Sequence, residues 1–139
     1  MTAVRLSADA KVKLRKMIDR KVADVAAKAA TVAYNTAISY QVKWSGTYRA
    51  SWQVVHGLEV AEHLKHPSNK SGKPDVVYSA PSKRSVLPDY NNPYQMIRVT
   101  NTARHAMTVE YDGTPYHAEP WKIAFSSKQS AMKSIGSLF

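Results

Sequence analysis

An α+β fold follows from three features of the chain. It opens on an unbroken alanine-rich helical run, its middle alternates strand-favouring residues with two proline-punctuated loops, and it ends on a second helical pattern. The first run, residues 7–39, contains neither glycine nor proline, and Leu14, Ile18, Val22, Val25, Ala29 and Val32 recur at three- and four-residue intervals. Ser7 is the expected N-cap, with Asp9 in the first turn beside the positive end of the helix dipole. The small residues Ala23, Ala26, Ala27, Ala29, Ala30, Ala33 and Ala37 permit close approach of another element, and alanine is also a strong helix former. At about 1.5 Å per residue the helix runs on the order of 45–50 Å, longer than one side of a domain this size requires.

Ser45-Gly46 interrupts the helix, and strands and loops are expected over residues 47–101. Tyr48, Trp52, Val54 and Val55 suit a first strand bounded by Gly46 and Gly57. The polar stretch from Glu59 to Asp75 gathers Pro67, Gly72 and Pro74 and reads as an exposed loop or the tip of an extended hairpin. Val76-Val77-Tyr78 is a short strand candidate, and Pro81 to Pro93 is a second loop. From Gln95 to Asn101, Met96 and Arg98 alternate with Ile97 and Val99 as in a strand. A short element over residues 102–111 and a turn at Asp112-Gly113 precede the last helix, residues 120–136. Pro120 sits there as a first-turn residue, and Trp121, Ala124, Phe125, Met132 and Ile135 form an apolar face. The expected arrangement is one domain, its two helices covering one face of a small antiparallel sheet.

Composition bounds the function. With 139 residues and 44% apolar residues the chain supports a single core, and it has no apolar stretch of membrane-spanning length. The first residues lead into alternating charges, so no secretory signal is expected and synthesis in a cytosol is the default. The absence of cysteine excludes disulfides, thiolate metal sites and thiol nucleophiles. A formal charge of +10 favours polyanions or acidic surfaces as partners. It is concentrated at the ends: Arg5, Lys11, Lys13, Arg15, Lys16, Arg20, Lys21 and Lys28 face only Asp9, Asp19 and Asp24, and Lys122, Lys128 and Lys133 stand in the last helix.

No reactive constellation stands out. Of His56, His63, His66, His105 and His117, only His63 and His66, with Glu59 and Glu62, approach a metal pattern, and solvated loop histidines are the commoner case. No nucleophile-elbow serine, paired carboxylates or phosphate-cradling glycine run is present, so no enzymatic activity and no cofactor are expected.

Two stretches carry a resemblance: Ser45-Gly46-Thr47-Tyr48-Arg49-Ala50-Ser51 directly after the long helix, and residues 101–124, with Asn101, His105-Ala106, Val109-Glu110, Gly113-Thr114 and Pro120-Trp121. They are similar to the tail-completion, or neck, proteins of tailed bacteriophages. That family shows Thr-Gly-x-Leu-Arg-x-Ser at the start of its first strand, then a strand ending in Asn, then Tyr-Ala-x-x-Val-Glu-x-Gly-Thr, then a Pro-Phe segment opening the last helix. Ser45 stands for Thr, Tyr48 for Leu, His105 for Tyr and Trp121 for Phe, while Asp112 is an added residue. The resemblance implies a structural virion protein at the head–tail junction, forming a ring of six or twelve copies through which DNA passes. Its implied partners are further copies of itself, the connector or portal side, the tail side and non-specifically the packaged DNA, with no membrane. It also implies that Gly46, Arg49, Ser51, Glu110, Gly113, Pro120 and Trp121 govern subunit shape or pairing. The alternative reading of the basic charge is a DNA-binding accessory protein acting as a monomer or dimer.

Overall fold

The computed structural model describes residues 5–40, 46–67, 69–70, 73–111 and 120–136. In chain order the elements are α1 (Ala8–Ser39), α2 (Thr47–Ala50), β1 (Trp52–His56), β2 (Asn69–Lys70), β3 (Lys73–Pro74), β4 (Ile97–Asn101), α3 (Ala106–Tyr111) and α4 (Ile123–Gly136). The α+β class is as expected: β1 and β4 form a two-stranded antiparallel sheet in register from Trp52 opposite Asn101 to His56 opposite Ile97. β2 and β3 pair separately as the tip of the anticipated hairpin.

Ser7 caps α1 by accepting a hydrogen bond from the Ala10 amide at 3.1 Å. The face of α1 that enters the core is Ala23, Ala27, Ala30, Tyr34, Ala37 and Ile38, again at three- and four-residue spacing. The apolar stripe read from the sequence is a different face: Leu14 is 45% and Ile18 50% exposed, and Val22, Val25, Ala29 and Val32 are half-buried outside both core clusters. α4 repeats the inversion. Its buried residues are Ile123, Ser127 and Ala131, while Phe125 and Met132 of the expected apolar face point to solvent. Small side chains make up most of both buried faces and permit close helix packing, with Tyr34, Ile38 and Ile123 as the large residues among them. α4 therefore packs principally on α1, and α1 is the helix that lies on the sheet. Both expected helices and the small antiparallel sheet are present, with α1 in contact with the sheet and α4 stacked chiefly on α1.

Trp52 joins Tyr34, Ala37, Ile38, Tyr48, Val109 and Ile123 in the main cluster, and Val54, Ile97 and Val99 pack against a second one of Ala27, Ala30 and Val86. The opposite sheet face carries Gln53, Val55 and Arg98. There the Gln53 side chain and the Glu62 backbone exchange two hydrogen bonds of 2.7 Å, and Arg98 donates to the Glu59 carbonyl at 3.0 Å. The returning loop thus crosses this face, where Val55 is 3% exposed.

Residues 84–94 form a strap running antiparallel along α1. Asn35 and the Arg84 backbone exchange hydrogen bonds of 2.9 and 3.0 Å, and the Val86 amide donates to Thr31 Oγ1 at 2.8 Å. Further along, the Tyr90 hydroxyl donates to Asp24 at 2.5 Å and the Tyr94 hydroxyl to Asp19 at 2.8 Å. The Arg20 guanidinium lies 4.1 Å from the centre of the Tyr90 ring. Hydrogen bonding to these carboxylates pushes both phenols above their ordinary pKa.

Three local expectations are revised. Residues 47–50, expected to begin the first strand, form a helical turn, so β1 begins at Trp52. Val76-Val77-Tyr78 is not paired as a strand among the described residues. The last helix starts at Ile123, so Pro120 is an exposed lead-in residue and not a first-turn residue. The expected turn at Asp112-Gly113 lies outside the described residues.

Candidate assembly surface

The end of α1 is where the singled-out residues meet. Helix α1 has no basic residue in its last turn, and its terminal carbonyls need donors. Arg49 supplies one from outside the helix, its Nε donating to the Ile38 carbonyl. The cation therefore sits at the negative end of the α1 dipole and ties α2 to α1. Arg49→Ala is expected to lower stability by about 1.5–2 kcal/mol in urea unfolding, with Arg49→Lys recovering part of it.

Gly46 caps α2 in the left-handed region, at φ 76°. A Cβ there would lie 2.4 Å from the Tyr78 carbonyl oxygen. Only glycine allows the chain both to turn and to pass this backbone. Ser51 ends α2, and its amide donates to the Thr47 carbonyl at 2.9 Å. Its side chain is 1% exposed, where a larger one would not fit. Tyr48 is buried against Trp52 in an edge-to-face pair with centroids 6.1 Å apart. Burial first, and the nearby Glu110 second, raise its pKa above the ordinary phenol value. Asn101 at the end of β4 donates to the Tyr48 carbonyl at 2.8 Å and accepts from the Ala103 amide at 2.9 Å, locking the sheet to α2.

Glu110, 7% exposed, plays the corresponding part for α4. That helix has no acidic residue in its first turn. One Glu110 carboxylate oxygen accepts from the Ala124 amide at 2.9 Å and the other from the Phe125 amide at 3.2 Å. The lead-in is held as well: the Trp121 amide donates to the Val109 carbonyl at 3.1 Å and the Lys122 amide to the Glu110 carbonyl at 3.2 Å. Lys122 has φ 50°, an unusual value for a non-glycine residue. Trp121 is half-buried and meets Tyr40 edge to face at 6.4 Å. The structure thus brings Gly46, Arg49, Ser51, Glu110 and Trp121 to the two helix ends. Pro120 stands exposed beside them, and Gly113 lies outside the described residues.

Sequence reasoning missed a groove that Glu110, alone of these residues, borders. It is open, holds about 580 Å³, and is lined by Ala30, Ala33, Trp52, Val99, Met107 and Lys128 among others. Its signal was the alanine series of α1, read from the sequence only as permitting close approach. Elsewhere Leu58 and Val60 leave the end of β1 almost wholly in solvent, 98% and 89% exposed.

Chemistry is sparse. Glu59, Glu62, His63 and His66 lie on an extended segment and not on one helix face, and no group of three potential ligand side chains is found among the described residues. His105 stacks edge-on with His66, centroids 5.8 Å apart, and its Nδ1 is buried without a partner among the described residues. Burial, then the neighbouring His66, lower its pKa. The folded state accordingly binds fewer protons than the unfolded chain just below the usual histidine value of about 6.5, so stability rises with pH there and falls on acidification. His105→Phe is expected to flatten that slope in unfolding midpoints measured between about pH 5 and 7.

No described helix is long and apolar enough to cross a membrane. No family model, curated protein or solved structure matches the chain.

Proposed function

We propose that the chain is a structural virion protein of a tailed bacteriophage, a subunit of the ring that completes the head–tail junction and lets DNA pass. The observation that carries this reading is the coexistence of an open apolar groove with separate, protruding apolar side chains, Leu58 and Val60. A closed ring needs one surface of each subunit to meet a different surface of the next, and these are two such surfaces. The resemblance supports the same reading, because Gly46, Arg49 and Glu110 of its motifs have concrete structural work at the helix ends. The ring's copy number and its contacts with connector and tail are part of the proposal.

Immunogold labelling of intact tailed particles is expected to mark this polypeptide at the head–tail joint, and its absence there sinks the reading. Leu58→Asp combined with Val60→Asp is expected to reduce self-association at least tenfold in sedimentation while leaving the unfolding midpoint within about 2 °C, since neither side chain is buried. Submicromolar binding to short duplexes, lost steeply between about 50 and 200 mM salt, would instead favour a DNA-binding accessory protein.

A further inference from the structure

One side of α1 carries apolar residues that neither core cluster uses. Ile18, Val25 and Val32 are seven residues apart and Leu14 precedes Ile18 by four, so they line up along one side of the helix. None of them belongs to either core cluster; Leu14 and Ile18 are about half exposed, and Val25 and Val32 are half-buried. Together with the Tyr94 ring, Leu14 and Ile18 border a shallow cleft that Lys11, Arg15 and the Tyr94-bound Asp19 also line. Ile18, Val25 and Val32 form one row of heptad spacing made of β-branched side chains, while the second row runs from Leu14 into Lys21 and Lys28.

Charge selects the occupant. Lys11, Arg15 and Lys28 are exposed at helical positions that flank this seam. Two of the three α1 carboxylates are engaged by the strap, Asp19 by the Tyr94 hydroxyl and Asp24 by the Tyr90 hydroxyl. The third, Asp9, sits in the first turn. The strap thus ties up acidic groups of α1 while cations border the apolar seam.

We infer that this face docks an acidic amphipathic helix of a different protein, its apolar seam against Leu14, Ile18, Val25 and Val32 and its flanking carboxylates against Lys11, Arg15 and Lys28. A second copy of the chain would bring the same cations and a formal +10 charge to the contact. An anionic membrane is disfavoured because the seam lacks the Trp and Phe that interfacial helices bury. Nucleic acid is disfavoured because phosphate contacts leave an apolar seam unused. The inference deepens the ring reading by giving one subunit face to a partner other than itself.

The test is fluorescence anisotropy of the full chain with a labelled synthetic peptide of about three heptads, a Leu/Ile seam flanked by Glu, and with a scrambled peptide of identical composition. The amphipathic peptide is expected to bind at least tenfold more tightly than the scramble. Ile18→Glu and Val25→Glu are each expected to remove that preference. Arg15→Glu, at an exposed position that does not threaten folding, is expected to weaken binding several-fold and to flatten its salt dependence. Circular dichroism of each variant verifies that it is folded. Equal affinity for the two peptides, or no binding to either, overturns the inference. So does tighter binding to phosphatidylserine vesicles or to a short DNA duplex with the same sensitivity to Ile18→Glu. Sedimentation of the same samples reports on the ring separately: a chain that binds the peptide but never self-associates keeps the inference and loses the ring, and a ring former that ignores the peptide does the reverse.

Discussion

Gly46→Ala is expected to be among the most damaging single substitutions in this protein. Two costs coincide. An L-residue held at φ 76° is strained by about 1–2 kcal/mol, and the added methyl would stand 2.4 Å from the Tyr78 carbonyl oxygen, which is backbone and not a side chain that can swing aside. The segment carrying Tyr78 is also anchored, because the Tyr78 hydroxyl donates to the Lys65 carbonyl at 2.9 Å. Relieving such a contact costs about 1–3 kcal/mol more. A loss of about 3 kcal/mol corresponds to a fall in Tm on the order of 10 °C for a domain of this length. Gly46→Asn separates the two costs, since asparagine tolerates the left-handed region yet carries the same Cβ. If contact with Tyr78 dominates, the asparagine and alanine proteins melt at similar temperatures. An asparagine protein that melts near the parent would show that the backbone conformation was the whole effect.

Which features could be read in advance follows from their range along the chain. The Ser7 cap, the β1 and β4 strands and the hairpin tip are written in residues a few positions apart, through capping, alternation and proline punctuation, and all were legible. The choice of helix face was not. Periodicity locates the most frequent large apolar side chains, yet the buried faces of α1 and α4 are mainly alanine and serine with Tyr34, Ile38 and Ile123 among them, so the rule that finds an amphipathic helix selected the wrong side of both. The strap was invisible for a different reason: its grip on α1 runs through hydrogen bonds between residues 49 to 75 positions apart, with no local pattern. At the helix ends the important residues could be named but not their work. Nothing in a stretch containing Arg49 or Glu110 says which helix end each will satisfy.

The outward-facing apolar residues connect this to function. The chain places Leu14, Ile18, Phe125 and Met132 in solvent while alanine and serine occupy much of the buried face of each helix, and under the ring proposal this exposed apolar surface serves contacts beyond the subunit. The interior then depends more heavily on helix-end chemistry, because small-residue contacts bury less apolar area per side chain.

Glu110→Ala therefore carries the second large expected effect. The substitution uncovers the Ala124 and Phe125 amides at the start of α4, removes a negative charge from the positive end of its dipole, and leaves space where a nearly buried side chain stood. Loss of a cap costs about 1–2 kcal/mol, and the dipole and cavity contributions bring the total to about 3 kcal/mol. Glu110→Gln keeps one carbonyl oxygen as acceptor but turns an NH2 group toward an amide donor, so about half of the loss is expected to remain. Amide hydrogen exchange gives the more specific readout. Protection should fall first at Ala124, Phe125 and the following residues of α4, while β1 and β4 retain theirs. Because Ile123 is 0% exposed and belongs to the same cluster as Tyr34, Ile38 and Val109, a frayed α4 would also open the groove beside it. Under the ring reading, Glu110→Ala should then lose self-association at temperatures well below its own unfolding midpoint. A protein that keeps both α4 protection and assembly would show that the carboxylate cap is dispensable.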